Sequence, residues 1–317
     1  MATPADTTST YDAIGNREDL SNVIYDISPT TTPFISAIAH VSADATNHEW
    51  QTDALAAAAT NAVIEGDDAT TTAAIPTVRL GNQTQISDKV PRVTRTQRQV
   101  NSAGRGDELD YQIMKSGKEL KRDMEFALLA NNAKVVGSES VARELAGVPA
   151  WITTNTANVG VGGANPTGDG TDARTDGTQT VLTEADLKLV LAGCWDEGGE
   201  PDTIMTGSFN KQAMSGFVGG GTSGPAQRQV NGTRIETAID IYVSDFGSLA
   251  VIPNRFMRAR DMLVLDTDMW AMASLAEFQE NPIAKTGDSD RVQLLSEYTL
   301  MARNEAASGI VADLTTA

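Results

Sequence analysis

Residues 47–100 constrain this chain more than any other stretch, being long, weak in helical pattern and too lean in large apolar residues to bury a core of their own. Between Ala54 and Thr77, fourteen of twenty-four residues are Ala or Thr. The flanks differ: His48-Glu49-Trp50-Gln51 and Thr77-Val78-Arg79-Leu80-Gly81-Asn82 read as extended segments. The pattern predicts a two-stranded excursion with a small-residue tip. Ordering about twenty tip residues costs on the order of tens of kcal/mol in backbone entropy, and an isolated hairpin is marginal in water. Neighbouring subunits are the expected source of the missing contacts.

At 317 residues the chain has room for one elaborate domain or two simple ones. A net charge of −18 and a pI near 4.4 argue against a nucleic-acid binder held by phosphate contacts, which needs a basic face. Cys194 is the only cysteine, so an intrachain disulfide and a cysteine-rich zinc site are excluded. The start, Met1-Ala2-Thr3-Pro4-Ala5-Asp6, has no basic, apolar secretory pattern, and no apolar run reaches membrane-spanning length. These features predict a soluble chain made in a reducing cytoplasm. The sequons at Asn82 and Asn231 are then chance matches.

Residues 1–45 carry Leu20-Ser21-Asn22-Val23-Ile24-Tyr25 and then Pro29 and Pro33, which block a continuous helix although Pro33 suits the start of a short turn at 34–38. An arm lying across another surface is expected. The clearest helix is predicted over residues 107–131, where Leu109, Ile113, Leu120, Met124 and Leu128 recur at helical spacing with Gly117 on the same stripe. Asp107, Glu108 and Asp110 suit its N-terminal end, and Lys121 and Glu125 are placed on its exposed side. At 1.5 Å per residue such a helix spans about 37 Å.

Residues 160–177 read as a loop or domain crossing. Thr183-Glu184-Ala185-Asp186 resembles a capping box and opens a helix with Leu187, Val190, Leu191 and Cys194 on its stripe, ended by Gly198-Gly199. A strand over 202–205 and a helix over 208–217 complete a small α/β layer. Further strands are predicted over 239–243, 249–252, 262–266, 292–302 and 309–314, with a turn at 286–290.

Gly219-Gly220-Gly221-Thr222-Ser223-Gly224 satisfies the dinucleotide fingerprint in letters only, because a helix precedes it where a strand is required. It reads as a loop. His40 and His48 have no zinc-ligand spacing, and no nucleophile elbow or Walker loop is present. Asp67 and Asp68 have the chemistry of an acid–base pair or cation ligands, but in a Gly/Thr-rich tip adjacent acids are ordinarily solvated. The chain is therefore expected to have no catalytic residue, cofactor or metal. Charge order is more informative: twelve acids face two bases up to Asp88, whereas Lys89, Arg92, Arg95, Arg98 and Arg105 follow with no acid among them. The expectation is that this strip pairs with acidic arms of other copies, arginine meeting carboxylates through two bonds. A solvated basic face is the competing reading, and an inward strip touching packaged DNA fits the overall charge less well.

The order of parts resembles the tailed-bacteriophage major capsid protein with the Hong Kong 97 fold. Glu49-Trp50-Gln51-Thr52-Asp53-Ala54-Leu55, Glu65-Gly66-Asp67-Asp68-Ala69-Thr70, Gly81-Asn82-Gln83-Thr84-Gln85-Ile86, Gly104-Arg105-Gly106-Asp107-Glu108-Leu109, Lys118-Glu119-Leu120-Lys121-Arg122-Asp123 and Leu145-Ala146-Gly147 are similar to recurring blocks of one such family, as is the segment 282–314. The middle third is similar in pattern only. The resemblance implies an α+β capsid fold: an N-terminal arm (1–46), an extended loop (47–105), a peripheral domain (106–180 and 267–317) with a spine helix over 107–131, and an axial domain (181–266). The Gly219–Gly224 loop would then lie near a capsomer axis. It implies a non-enzymatic shell protein forming pentamers and hexamers, found in the virion and made in the host bacterial cytoplasm. The shell would enclose double-stranded DNA without sequence-specific binding or membrane contact and would work with a portal. The Lys–Asn crosslink of some relatives has no matching pair here. The usual helical scaffolding extension is also not recognisable, which implies a separate scaffolding protein or a different assembly route. Trp50, Asp67, Asp68, Arg92, Arg95 and Arg98 are the candidate inter-subunit contacts. An encapsulin-like compartment of the same fold, and a monomeric α/β enzyme or ligand-binding protein using the Gly219 loop, are the alternatives.

Overall fold

In the computed structural model the described residues are 28–68, 71, 73–100, 104, 106–217 and 240–316. The expected arm segment 20–25, Arg105, the sequon at Asn231 and the Gly219–Gly224 loop lie outside them.

The expected long helix is present as α3 (Glu108–Leu129), begun by Asp107, whose side chain accepts from the Leu109 amide. Leu109, Leu120, Met124, Leu128 and Leu129 are buried along one side, as the spacing requires. It stops at Ala130, which is extended. Gly147 packs there so closely that a Cβ would sit 2.0 Å from the Ala130 carbonyl oxygen. Asn131 then exchanges two hydrogen bonds with the Arg174 backbone, turning the chain away.

Before α3 lie the short helix α1 (Pro33–Ala37) and strand β1 (Ala39–Ser42). A hairpin of β2 (Asn47–Thr52) and β3 (Val78–Gln83) follows, then β4 (Gln85–Lys89), β5 (Arg92–Thr94) and the short helix α2 (Arg95–Gln99). The projecting excursion is therefore shorter than the expected 47–105. From Gln85 onward the chain returns to the body, because β4 and β5 pair with a late strand. The expected basic return strand ends as helix α2, capped by Thr94.

After α3, β6 (Asn155–Ala157), α4 (Glu184–Asp196), β7 (Thr203–Thr206), α5 (Ser208–Met214), β8 (Ile241–Ser244), β9 (Gly247–Pro253) and β10 (Met262–Leu265) lead to β11 (Trp270–Ile283), β12 (Ser289–Ala302) and β13 (Gly309–Val311). Two sheets result. A five-stranded sheet runs β1-β11-β12-β4, with β5 further along β12, and α3 packs on β12 and β4. The second sheet runs β6-β13-β10-β7-β9-β8, with α4 packed on β6 and β13. The capping box of α4 is complete between Thr183 and Asp186.

Strand β11 has no counterpart among the expected elements. Its Ala271, Met272, Ala273, Ala276, Glu277 and Glu280 are weak strand formers, and its first four residues are all buried instead of alternating. Two register shifts break it further. The six-stranded sheet also takes β6 and β13 from outside residues 181–266, so sheet membership cuts across the expected domain limits. One core joins Phe34, Leu120, Trp151, Trp270 and Tyr298 beneath α3. The other joins Leu187, Leu191, Ile204, Val264 and Val311 beneath α4.

Candidate assembly surfaces

The hairpin is rigid at its base and uncovered at its tip. Asn82 is fully buried and bonds the Ala146 amide (2.9 Å), the Ala146 carbonyl (3.1 Å) and the Leu300 carbonyl (2.9 Å). Lys134 donates to the carbonyls of Gly81 (2.7 Å) and Asp169 (2.8 Å) while lying over the Trp151 ring. Trp50 packs on Trp151 with ring centroids 5.3 Å apart. Expected as a contact between subunits, Trp50 is instead buried in its own subunit, where it anchors the hairpin. Strand alternation alone does not say whether an inward residue meets its own chain or another.

Beyond the base, residues 53–68 are all exposed. Leu55 is 98% exposed, Ile64 81%, Val63 74% and Ile75 60%, so four large apolar side chains are left uncovered by the described residues of the subunit. Asp67 and Asp68 sit just after a turn at Gly66, whose φ is +86°. The Asp67 amide donates to the Ile64 carbonyl and the Asp68 amide to the Asp67 carboxylate. Both acids are exposed, and no metal-holding group of acids or histidines exists among the described residues.

The basic strip already has partners in its own chain. Arg92 donates to the Ser289 hydroxyl at 2.8 Å. Arg95 pairs with Asp288 at 2.8 Å, and Lys89 with Asp123 at 2.7 Å. Arg98 bridges Asp107, the cap of α3, and Asp290 at 2.7 Å. The guanidinium of Arg98 holds the Asp107 carboxyl below its ordinary range, helped by the Leu109 amide. Within one subunit, then, Arg92 meets Ser289, Arg95 meets Asp288 and Arg98 meets Asp290. Asp288 lies 193 positions from Arg95 and Asp290 192 from Arg98, where counting charge along the chain does not reveal them, whereas Asp107 is nine from Arg98.

Two polar junctions were not visible in the sequence. Glu125 is fully buried, not exposed as expected. Its carboxylate accepts from the amides of Phe34 (2.8 Å) and Ile35 (2.9 Å) and from the Asn254 side chain (2.7 Å). It therefore ties α1, α3 and the turn after β9 together, and burial raises its pKa against the pull of those donors. The second junction joins Asp176, Arg258, Arg260, Asp261 and Asp313. Asp313, at φ +52°, accepts from the amides of Gly160 and Gly177 and from Arg260, pinning the crossing loop to the six-stranded sheet. Burial pushes Asp261 up to about 6.

Near β8, the free edge of that sheet, Trp195 and Phe246 stack at 5.5 Å and both are exposed, as are Ile241 and Val243. Cys194 is buried, its thiol pushed up to about 12 by desolvation, which is the profile of a core residue and not a nucleophile. No helix among the described residues is long and apolar enough to cross a membrane.

A family model described as SU10 major capsid protein matches residues 5–315. The major capsid protein of Escherichia phage Phieco32 is 30% identical over 335 aligned residues, covering 95% of each chain. Among solved structures, the capsid of a native GTA particle superposes with a TM-score of 0.67 at 10% identity, covering 98% of this chain and all of that one. A structure from Mycobacterium phage Adephagia gives 0.64 at 13% identity, with 98% and 99% covered. The Cyanophage A-1(L) capsid gives 0.62 at 14% identity, with the same coverage. At these identities the superpositions establish a common fold.

Proposed function

This chain belongs to the SU10 major capsid protein family, and from that premise we propose how its subunit closes a shell. It is a phage major capsid protein of Hong Kong 97-like fold, a virion component whose many copies form the icosahedral capsid. The compartment and monomeric readings have no support. Its family is a structural one, and its work is geometric.

The observation that carries the mechanism is the anchored hairpin with an uncovered tip. A base tied by Asn82, Lys134 and Trp50 aims the tip, and Leu55, Val63, Ile64 and Ile75 are left for a neighbour to cover. Fixing the base in advance lowers the ordering cost when the tip docks. Each contact is weak, and closure of a symmetric shell multiplies them. In this reading α3 is the spine, the five-stranded sheet forms the peripheral domain and the α4–α5 sheet the axial domain. Subunits meet as pentamers and hexamers; Asp67 and Asp68 reach a basic surface on the neighbour. The shell encloses double-stranded DNA without reading its sequence, is made in the host cytoplasm and cooperates with a portal and a separate scaffolding protein. The acidic composition suits a container that does not adsorb its DNA.

Deleting residues 56–76 tests this. The expected product is a folded, soluble subunit with unchanged thermal unfolding that no longer forms closed particles by electron microscopy. Normal particles from that variant would sink the hairpin mechanism.

A further inference from the structure

A recess of about 360 Å³ opens at one end of the six-stranded sheet, between the C-terminal end of α4, the run into β7 and the β8–β9 turn. Its walls include Trp195 and Phe246, whose rings stack with centroids 5.5 Å apart although the two residues are 57% and 45% exposed. Glu200 and Asp202 line the same recess. Asp202 is committed to the amide and hydroxyl of Thr267, whereas the Glu200 carboxylate has no hydrogen-bond or ion-pair partner among the described residues. Helix α4 ends here on Asp196, with Glu197 as its C-cap and no base in its last turn. Lys188, the one base on α4, pairs with Glu184. A helix C-terminus favours a cation, and here acids stand in its place. Open aromatic faces beside unpaired carboxylates are the chemistry that holds a guanidinium, the rings stacking on its plane and the acids accepting its N–H groups.

We propose that this recess receives Arg255 of a second copy of the chain. Arg255 is exposed, and it is the one arginine among the described residues with no hydrogen bond, ion pair or ring contact. Its backbone is nevertheless held. The preceding Asn254 donates its amide to the Thr206 carbonyl at 2.9 Å and its side chain to Glu125 at 2.7 Å, and its side-chain oxygen accepts from the following Phe256 amide at 2.8 Å. A fixed backbone presenting a free guanidinium loses little freedom on docking. Strand β9 begins at Gly247, in the recess, and ends at Pro253, just before Arg255. The two features therefore lie about 20 Å apart along the strand and cannot meet within one subunit. Each copy thus carries an acidic, aromatic socket at one end of β9 and an unpaired arginine at the other, which suits a head-to-tail contact repeated around a ring. In a chain of net charge −18 such a contact supplies local attraction against the general repulsion. The inference rests on the chain's place in a shell-forming family and makes no use of the hairpin tip, so either can fail alone.

Two measurements on the full-length protein test it. Of the four tryptophans, Trp50, Trp151 and Trp270 are buried, so acrylamide quenching of the unassembled subunit reports chiefly Trp195. Quenching is expected to fall several-fold in closed wild-type particles, and unchanged quenching overturns the proposal. This readout needs no variant and holds even where a substitution folds poorly. In parallel, Arg255→Glu and Glu200→Arg are each expected to cut the yield of closed particles several-fold by electron microscopy while leaving the thermal unfolding of the subunit unchanged. Combined in one chain, they are expected to restore most of the wild-type yield. Single variants that assemble normally, or a double variant no better than either, overturn the pairing and leave the recess to a basic segment of some other protein.

Discussion

Asp261 and Glu125 show how far a single carboxyl's role depends on what covers it. Asp261 is 1% exposed and bonds Arg258 at 2.9 Å, yet desolvation outweighs that partner and lifts it from 3.8 to about 6. A folded-state pKa above the unfolded one means the native state binds the proton more tightly. The stabilisation is therefore complete below about pH 4 and lost as pH rises through about 6. The stability of the wild-type subunit minus that of Asp261→Asn should fall between those limits by on the order of 3 kcal/mol, measured by urea unfolding at several pH values. A flat difference would show that the surrounding arginines hold Asp261 ionised throughout. Glu125 was assigned to the exposed side of α3 because helical phase puts it next to Lys121. Phase locates a residue on its own helix and says nothing about a second segment laid over that side. Here α1 and Asn254 do so.

At the scale of elements, α3, α4 with its capping box and the strands β9 and β12 were legible because their apolar spacing matches the period of the element, and β10 because Met262–Leu265 is a short unbroken apolar run. Strand β11 was not, since burial on both sides erases alternation and its residues are poor strand formers. The basic strip belongs here too. Arg92, Arg95 and Arg98 fasten β5 and α2 to the turn before β12 and to the cap of α3. Replacing all three with Glu should lower the denaturation midpoint of the unassembled subunit, with the loss smaller at high salt because these pairs are largely solvent-exposed. An unchanged midpoint together with failed assembly would return the strip to contacts between subunits.

For the whole molecule, a net charge of −18 sets the terms of association. Like-charged subunits repel until salt screens them, the screening length falling from about 30 Å at 0.01 M to about 3 Å at 1 M. Light scattering of purified subunits should show assembly accelerating several-fold between those limits. Slower assembly at high salt would mean that attractive ion pairs at the contacts outweigh the general repulsion.

The sequence alone determined the long helix, the small α/β layer, the acidic character and an excursion unable to stabilise itself, for each of these rests on local periodicity or composition. Tertiary structure decided where that excursion ends, at Gln83 and not 105, since β4 and β5 are claimed by β12. It also turned Trp50 inward, matched the basic strip with acids far along the chain, and buried Glu125 beneath α1. Each of these depends on which distant segment arrives as a neighbour. Charge and hydrogen-bonding groups accept partners from any point in the chain, so chain order records their presence and not their pairing.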